Sequence, residues 1–164
     1  MKFENHKAPK LTDQGNAAFA LFGAVSSTNQ GKFPKEFPYK PDDFKRADES
    51  DDSIFYEYPK FCYHIDESAV QALTNFYEKT FKNWDNPSIL DICASHVSHF
   101  PLNIAETSDK RVGLGMNKTE LSQNPQLTDY VQKDLNKDFK LPFDDCSFDI
   151  VTNVVSIEYL NKPI

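Results

Sequence analysis

The longest periodic stretch of the chain is DESAVQALTNFYEKTF, residues 66–81. Val70, Leu73, Phe76, Tyr77 and Phe81 recur at helical spacing and make one apolar stripe. Asp66 or Ser68 can cap its start by accepting a free backbone N–H of the first turn. Asn83 to Pro87 break the pattern, so the spacing predicts a helix over 66–82. Short apolar runs follow at SILDICA (88–94) and KRVGLGM (110–116), and each reads as a buried strand. Thr119–Asn124 predicts a short helix stopped by Pro125. TDYVQKDL (128–135) predicts a third strand around Tyr130–Gln132, and FDIVTNVV (148–155) a fourth. Strands that alternate with helical or loop connections indicate parallel βαβ units.

The chain upstream of residue 66 is different. Residues 31–60 carry Pro34, Pro38, Pro41 and Pro59, which forbid a long helix. Aromatics alternate with these prolines. The expectation is an extended arm over residues 1–65, pinned by Phe33, Phe37, Tyr39 and Phe44. The acidic run Asp48-Glu49-Ser50-Asp51-Asp52 lacks the ligand spacing and turn glycine of a calcium loop, and reads as a solvated turn or helix start. The apolar run Ala17–Val25 has the length of a signal-peptide core. Its lead-in mixes Lys2, Lys7 and Lys10 with Glu4 and Asp13, which favours a short buried or interfacial helix.

Composition narrows the field further. The formal net charge is −7 and no basic stripe occurs, so nucleic acid is not an expected partner. Cys62, Cys93 and Cys146 are too few and too scattered for a disulfide framework and read as reduced thiols. No stretch approaches the roughly 18 apolar residues that a membrane span needs.

The ordered motifs from residue 88 onward resemble the class I S-adenosylmethionine-dependent methyltransferases. Ile89-Leu90-Asp91-Ile92 matches the start of their first strand. Val112-Gly113-Leu114-Gly115-Met116-Asn117 and then Glu120-Leu121 follow the layout of the second strand and its helix. Asp134-Leu135, then Leu141-Pro142-Phe143 and Ser147-Phe148-Asp149, are similar to the third-strand signature. Phe148 to Leu160 matches the fourth strand and its sequel. The third-strand element resembles the type 11 group. Residues 37–66 with SILDICASHVSHFP resemble a plant and algal branch of it that is often plastid-targeted. The resemblance implies a Rossmann-like α/β domain over residues 66–164, with only strands one to four of the seven-stranded family order. It also implies S-adenosylmethionine as cofactor and a small-molecule methyl acceptor that the sequence does not identify. Asp91, Ser95, Asn117, Asp134 and Leu135 would line the cofactor crevice.

Two departures stand against that pattern. The motif glycines after Asp91 are replaced by Cys93, Ser95 and Val97, whose Cβ atoms crowd the path of the cofactor unless the turn is reshaped. Gly115 stands where the family carries the acid that accepts the ribose hydroxyls. Losing a charged acceptor costs on the order of 1.5–3 kcal/mol, or about tenfold to a hundredfold in affinity. Asn117, two residues on, is a candidate neutral substitute. Asp134 aligns with the adenine contact, and a turn or cap aspartate is an equal reading. Asp149 reads as structural, orienting the turn before strand four.

Other chemistries at the same place weigh less. Cys93-x-x-His96-x-x-His99 supplies zinc-type ligands, but without a fourth in a recognised spacing. His96 or His99 can also act as a general base, because imidazole titrates near neutrality. Tyr56, Tyr58, Phe61 and His64 read first as aromatic packing of the arm. The resemblance leaves strand four as an exposed edge, a template for pairing. Three readings of that edge stand side by side: a fragment, a reduced domain covered by its own arm, or a subunit covered by a protein partner. The alternative to an enzyme is therefore a non-catalytic interaction subunit built on the same fold.

Overall fold

The computed structural model describes residues 38–162. The expectations placed on Ala17–Val25, Phe33 and Phe37 lie outside those residues. The described elements begin with a 3-10 turn at Pro41–Phe44 and continue with α1 (Asp52–Phe55), α2 (Glu67–Phe81), β1 (Ile89–Ile92) and α3 (Ile104–Thr107). They end with β2 (Arg111–Gly115), α4 (Lys118–Ser122), β3 (Asp129–Gln132), β4 (Ile150–Asn153) and a 3-10 turn at Ile157–Tyr159.

The four strands make one parallel sheet in the order β3-β2-β1-β4. This is an α/β, Rossmann-like architecture. The register pairs Ile89 with Arg111 and Ile150, and Asp91 with Gly113 and Thr152. Side chains alternate across a strand, so these residues share one face. On that face α2 lays down Leu73, Tyr77 and Phe81, which pack with Ile89, Phe100 and Ile104. The helical stripe read from the sequence is thus the buried one. Asp66 caps α2, its side chain accepting the Ala69 N–H at 2.8 Å.

The opposite face carries Leu90, Val112 and Leu114. The β3–β4 connection covers it with Leu135, Leu141, Phe143 and Phe148. The two apolar runs, ILDI and RVGLG, are buried on both faces because the chain covers each. Asp149 ties the start of β4 to the start of β1: its Oδ2 accepts from the Ser88 N–H at 2.8 Å and from Ser88 Oγ at 2.7 Å.

From residue 38 onward the arm is less extended than its prolines suggest, because α1 and the Pro41–Phe44 turn interrupt it. The acidic run makes the start of α1. Asp51 is its N-cap and accepts the Ser53 N–H at 2.9 Å. Asp52 pairs with Arg46.

Candidate functional site

The strands step from β1 through β2 to β3 in one direction, and β4 then lies on the other side of β1. In open parallel sheets the crevice at such a reversal, at the carboxyl ends of the strands, is where ligands bind. A cavity of about 270 Å³ lies there. Its walls include all five residues expected from the sequence: Asp91, Ser95, Asn117, Asp134 and Leu135. They are far apart in the chain, and the parallel register brings the ends of β1, β2 and β3 together.

Each has a definite local task. Asp91 is 6% exposed and its Oδ1 accepts from Thr152 Oγ1 at 2.7 Å. Burial pushes its carboxyl up to about 6, and hydrogen bonds from Ser98 and Thr152 only partly offset that. Asn117 caps α4, accepting from Thr119 N–H at 2.9 Å and Glu120 N–H at 3.1 Å. Its amide donates to the Tyr56 carbonyl at 2.8 Å. Asp134 accepts from the Asn136 N–H at 2.9 Å and caps the turn after β3. Leu135 packs on the second core face. Asn117 and Asp134 therefore do local work in this structure: the amide proposed as a neutral ribose contact is engaged by a helix and by the arm.

The loop after β1 and Gly115, the two places where the sequence differs from the methyltransferase pattern, lie against each other. Cys93 takes the left-handed conformation at φ 59°. This turns the chain so that the Ala94 N–H donates to the Leu114 carbonyl at 2.9 Å, extending the ladder past β1. A Cβ built on Gly115 would lie 2.1 Å from the Ala94 carbonyl oxygen. The loop after β1 fills the space that any side chain at 115 would need.

Sequence reasoning passed over Glu120 as a site residue. It is 5% exposed, its Oε2 accepts from Ser95 Oγ at 2.6 Å, and its Oε1 accepts from the Lys60 N–H at 2.7 Å. Asn117-x-x-Glu120 has the spacing of a capping box, which disguises it as a local helix device. In the fold the carboxylate turns away from the cap and joins the loop after β1 to the arm.

The arm forms one wall of the cavity through Asp52, Phe55, Tyr56, Lys60, His64 and Ile65. Burial pushes the Tyr56 hydroxyl up to about 12. Phe61 stands edge-on to His96 with centroids 5.5 Å apart, and Tyr63 stacks on His96 at 6.1 Å. Tyr63 also leans on His99 at 5.6 Å. Tyr58 is 73% exposed and contributes no wall. His99 is held below the ordinary imidazole value by burial first, then by His96 and His64. It is mostly neutral at pH 7, the form that accepts a proton. Burial pushes the Cys93 thiol up to about 11, against hydrogen bonds from Ser156 and Asn153, so it is a poor nucleophile.

Among the described residues, no group of three or more His, Cys, Asp or Glu side chains is arranged to hold an ion. Among the described residues, three of the five non-glycine residues at positive φ, Cys93, His99 and Val155, line the cavity. Backbone strain of this kind collects at functional sites. No helix among the described residues is long and apolar enough to cross a membrane.

In comparisons with known proteins, no family model matches the chain and no curated protein matches it. The class that fold and site define is an α/β, Rossmann-like domain with a crevice at the carboxyl ends of its strands.

Proposed function

We propose that the chain is a methyltransferase-like domain that binds S-adenosylmethionine in this crevice. One observation carries the reading: the five residues named from sequence motifs, spread over 45 positions from Asp91 to Leu135, line a single cavity at the strand reversal. Methyl transfer from a sulfonium is an in-line displacement, so the protein contributes mainly position and orientation. S-adenosylmethionine would bring the methyl group, and Asp134 and Leu135 would face its adenine. Ser95, Asn117 and Glu120 supply the polar groups near the end of β2, in place of an acid at 115. His99, neutral on the cavity wall, is suited to accept the proton of a hydroxyl or amine acceptor.

Isothermal titration with S-adenosylmethionine and S-adenosylhomocysteine tests this. The expected result is micromolar binding, weakened about tenfold or more in Asp134→Ala. Absence of heat at millimolar ligand, with the chain folded by circular dichroism, overturns it.

A second reading, a non-catalytic subunit, is favoured by the outer side of β4. Val151 on that strand is 56% exposed. Among the described residues no strand pairs with that side. A protein partner that adds a strand would cover it.

A further inference from the structure

Residues 51–60 cross the carboxyl ends of β2 and β3 and are held at several separate points. At one end Asp51 Oδ2 pairs with Lys137 Nζ at 2.8 Å, and Asp52 pairs with Arg46 and accepts from Asn136 Nδ2 at 2.7 Å. In the middle the Tyr56 carbonyl accepts from Asn117 Nδ2. At the other end the Lys60 N–H donates to Glu120 Oε1. The contacts to Asn117 and Glu120 are made by main-chain atoms of the segment, so they hold its path whatever its side chains are.

Little apolar packing backs these contacts. Ile54, Phe55 and Tyr58 are 67%, 59% and 73% exposed. No residue of the segment belongs to either core cluster. A second hollow, of about 600 Å³, lies beyond α1, and Asp52, Phe55 and Tyr56 line both hollows. Among the described residues the segment is thus a thin partition, with a hollow on its far side, held mainly by polar bonds. Segments with few buried apolar contacts open at free energies well below that of global unfolding.

We propose that residues 51–60 are a gate on the cavity, latched by Glu120 and Asn117, and that ligands enter when the latch releases. Glu120 is the decisive bond, because its charged carboxylate also holds Ser95 on the loop after β1. Release of Lys60 frees a buried carboxylate at the cavity wall, and a ligand that donates hydrogen bonds replaces the lost partner. The gate does not depend on which ligand the cavity takes.

Cys93 provides a reporter that needs no ligand. It lines the cavity and is partly buried, whereas Cys62 and Cys146 are exposed. The full chain with Cys62→Ser and Cys146→Ser is treated with iodoacetamide, with and without Glu120→Gln. Amide exchange is followed in the same proteins. The expected result is that the Lys60 amide and the Cys93 thiol both react about tenfold faster in Glu120→Gln, as loss of a charge-assisted bond requires. The β1 and β2 amides keep their protection. Asp52→Ala, which cuts the opposite end, gives the same pattern. The gate is overturned if Cys93 labelling is unchanged while the Lys60 amide exchanges faster. It is also overturned if the segment opens only together with the β1 and β2 amides in both variants. Absence of S-adenosylmethionine binding to an open variant would count against the proposed ligand, not against the gate.

Discussion

Asp91 combines the end of β1 with the least favourable environment for its own charge. Its carboxyl is raised to about 6 in the folded chain, against an ordinary value of 3.8. Between those values the native state binds more protons than the unfolded one, so stability falls as pH rises through that window. Above about pH 6 both states are ionised and the penalty is constant, about 3 kcal/mol by linkage. Asp91→Asn removes the ionisation and keeps an acceptor for Thr152 Oγ1. The variant should gain stability over the parent at pH 8, with little gain below pH 4. Urea unfolding across pH 4–8 checks this. A parent curve that is flat over the window would contradict the buried ionisation. The sequence already marked Asp91 as a motif residue. Its burial under Tyr77 and beside Thr152 arises only once α2 and β4 have packed on β1.

At the scale of elements, the loop after β1 and the end of β2 are a matched pair. A Cβ at Gly115 meets the Ala94 carbonyl at 2.1 Å, which is backbone and can yield only if the loop moves. A Cβ at Gly113 meets Leu127 Cδ1 at 2.4 Å, the far end of a flexible side chain. Overpacking of a core costs about 1–3 kcal/mol. Gly113→Ala should fall at the low end of that range, and Gly115→Ala at the top or beyond, by denaturant unfolding. Equal costs would mean that the loop is softer than its hydrogen bond to Leu114 implies. Both differences from the methyltransferase pattern were readable in the sequence, but as two separate features. Their contact needed the left-handed turn at Cys93, because a φ value is not written in residue type. The same limit hid Glu120: a helix position is legible, but the direction of a buried carboxylate depends on which distant backbone reaches it.

At the scale of the molecule, the described residues cover the two faces of the sheet unequally. One face lies under α2, α3 and α4, and the other under the β3–β4 connection, which covers Leu90 and leaves its register partner Val151 56% exposed. An unpaired strand with exposed apolar side chains is a template for association, and lysine is a recurrent means of blunting one. The chain should therefore associate reversibly in sedimentation velocity as its concentration rises. Val151→Lys should shift it toward monomer without changing its circular dichroism. Unchanged association in that variant would place the contact elsewhere, for instance on the exposed outer side of α1. The arm and the domain are likewise joined at this scale, since Asp51, Asp52, Tyr56 and Lys60 bond to residues 60 to 86 positions away.

The sequence by itself determined what depends on neighbours along the chain. The 3.6-residue period of α2, the Asp66 cap, the breaks at Pro87 and Pro125, and the apolar runs of β1, β2 and β4 are all local, and with them the α/β class follows. The order of motifs likewise named five residues that line one cavity, because in a parallel sheet every strand end points to the same side. Only the tertiary structure decided which polar groups in that crevice are already engaged. Asn117, Glu120 and Asp134 look alike in sequence as acceptors. They differ because one bonds a helix end and the arm, one bonds the arm and the loop after β1, and one bonds its own turn. Those partners are chosen by long-range packing and by the need to pair every buried polar atom, and neither is encoded in local pattern.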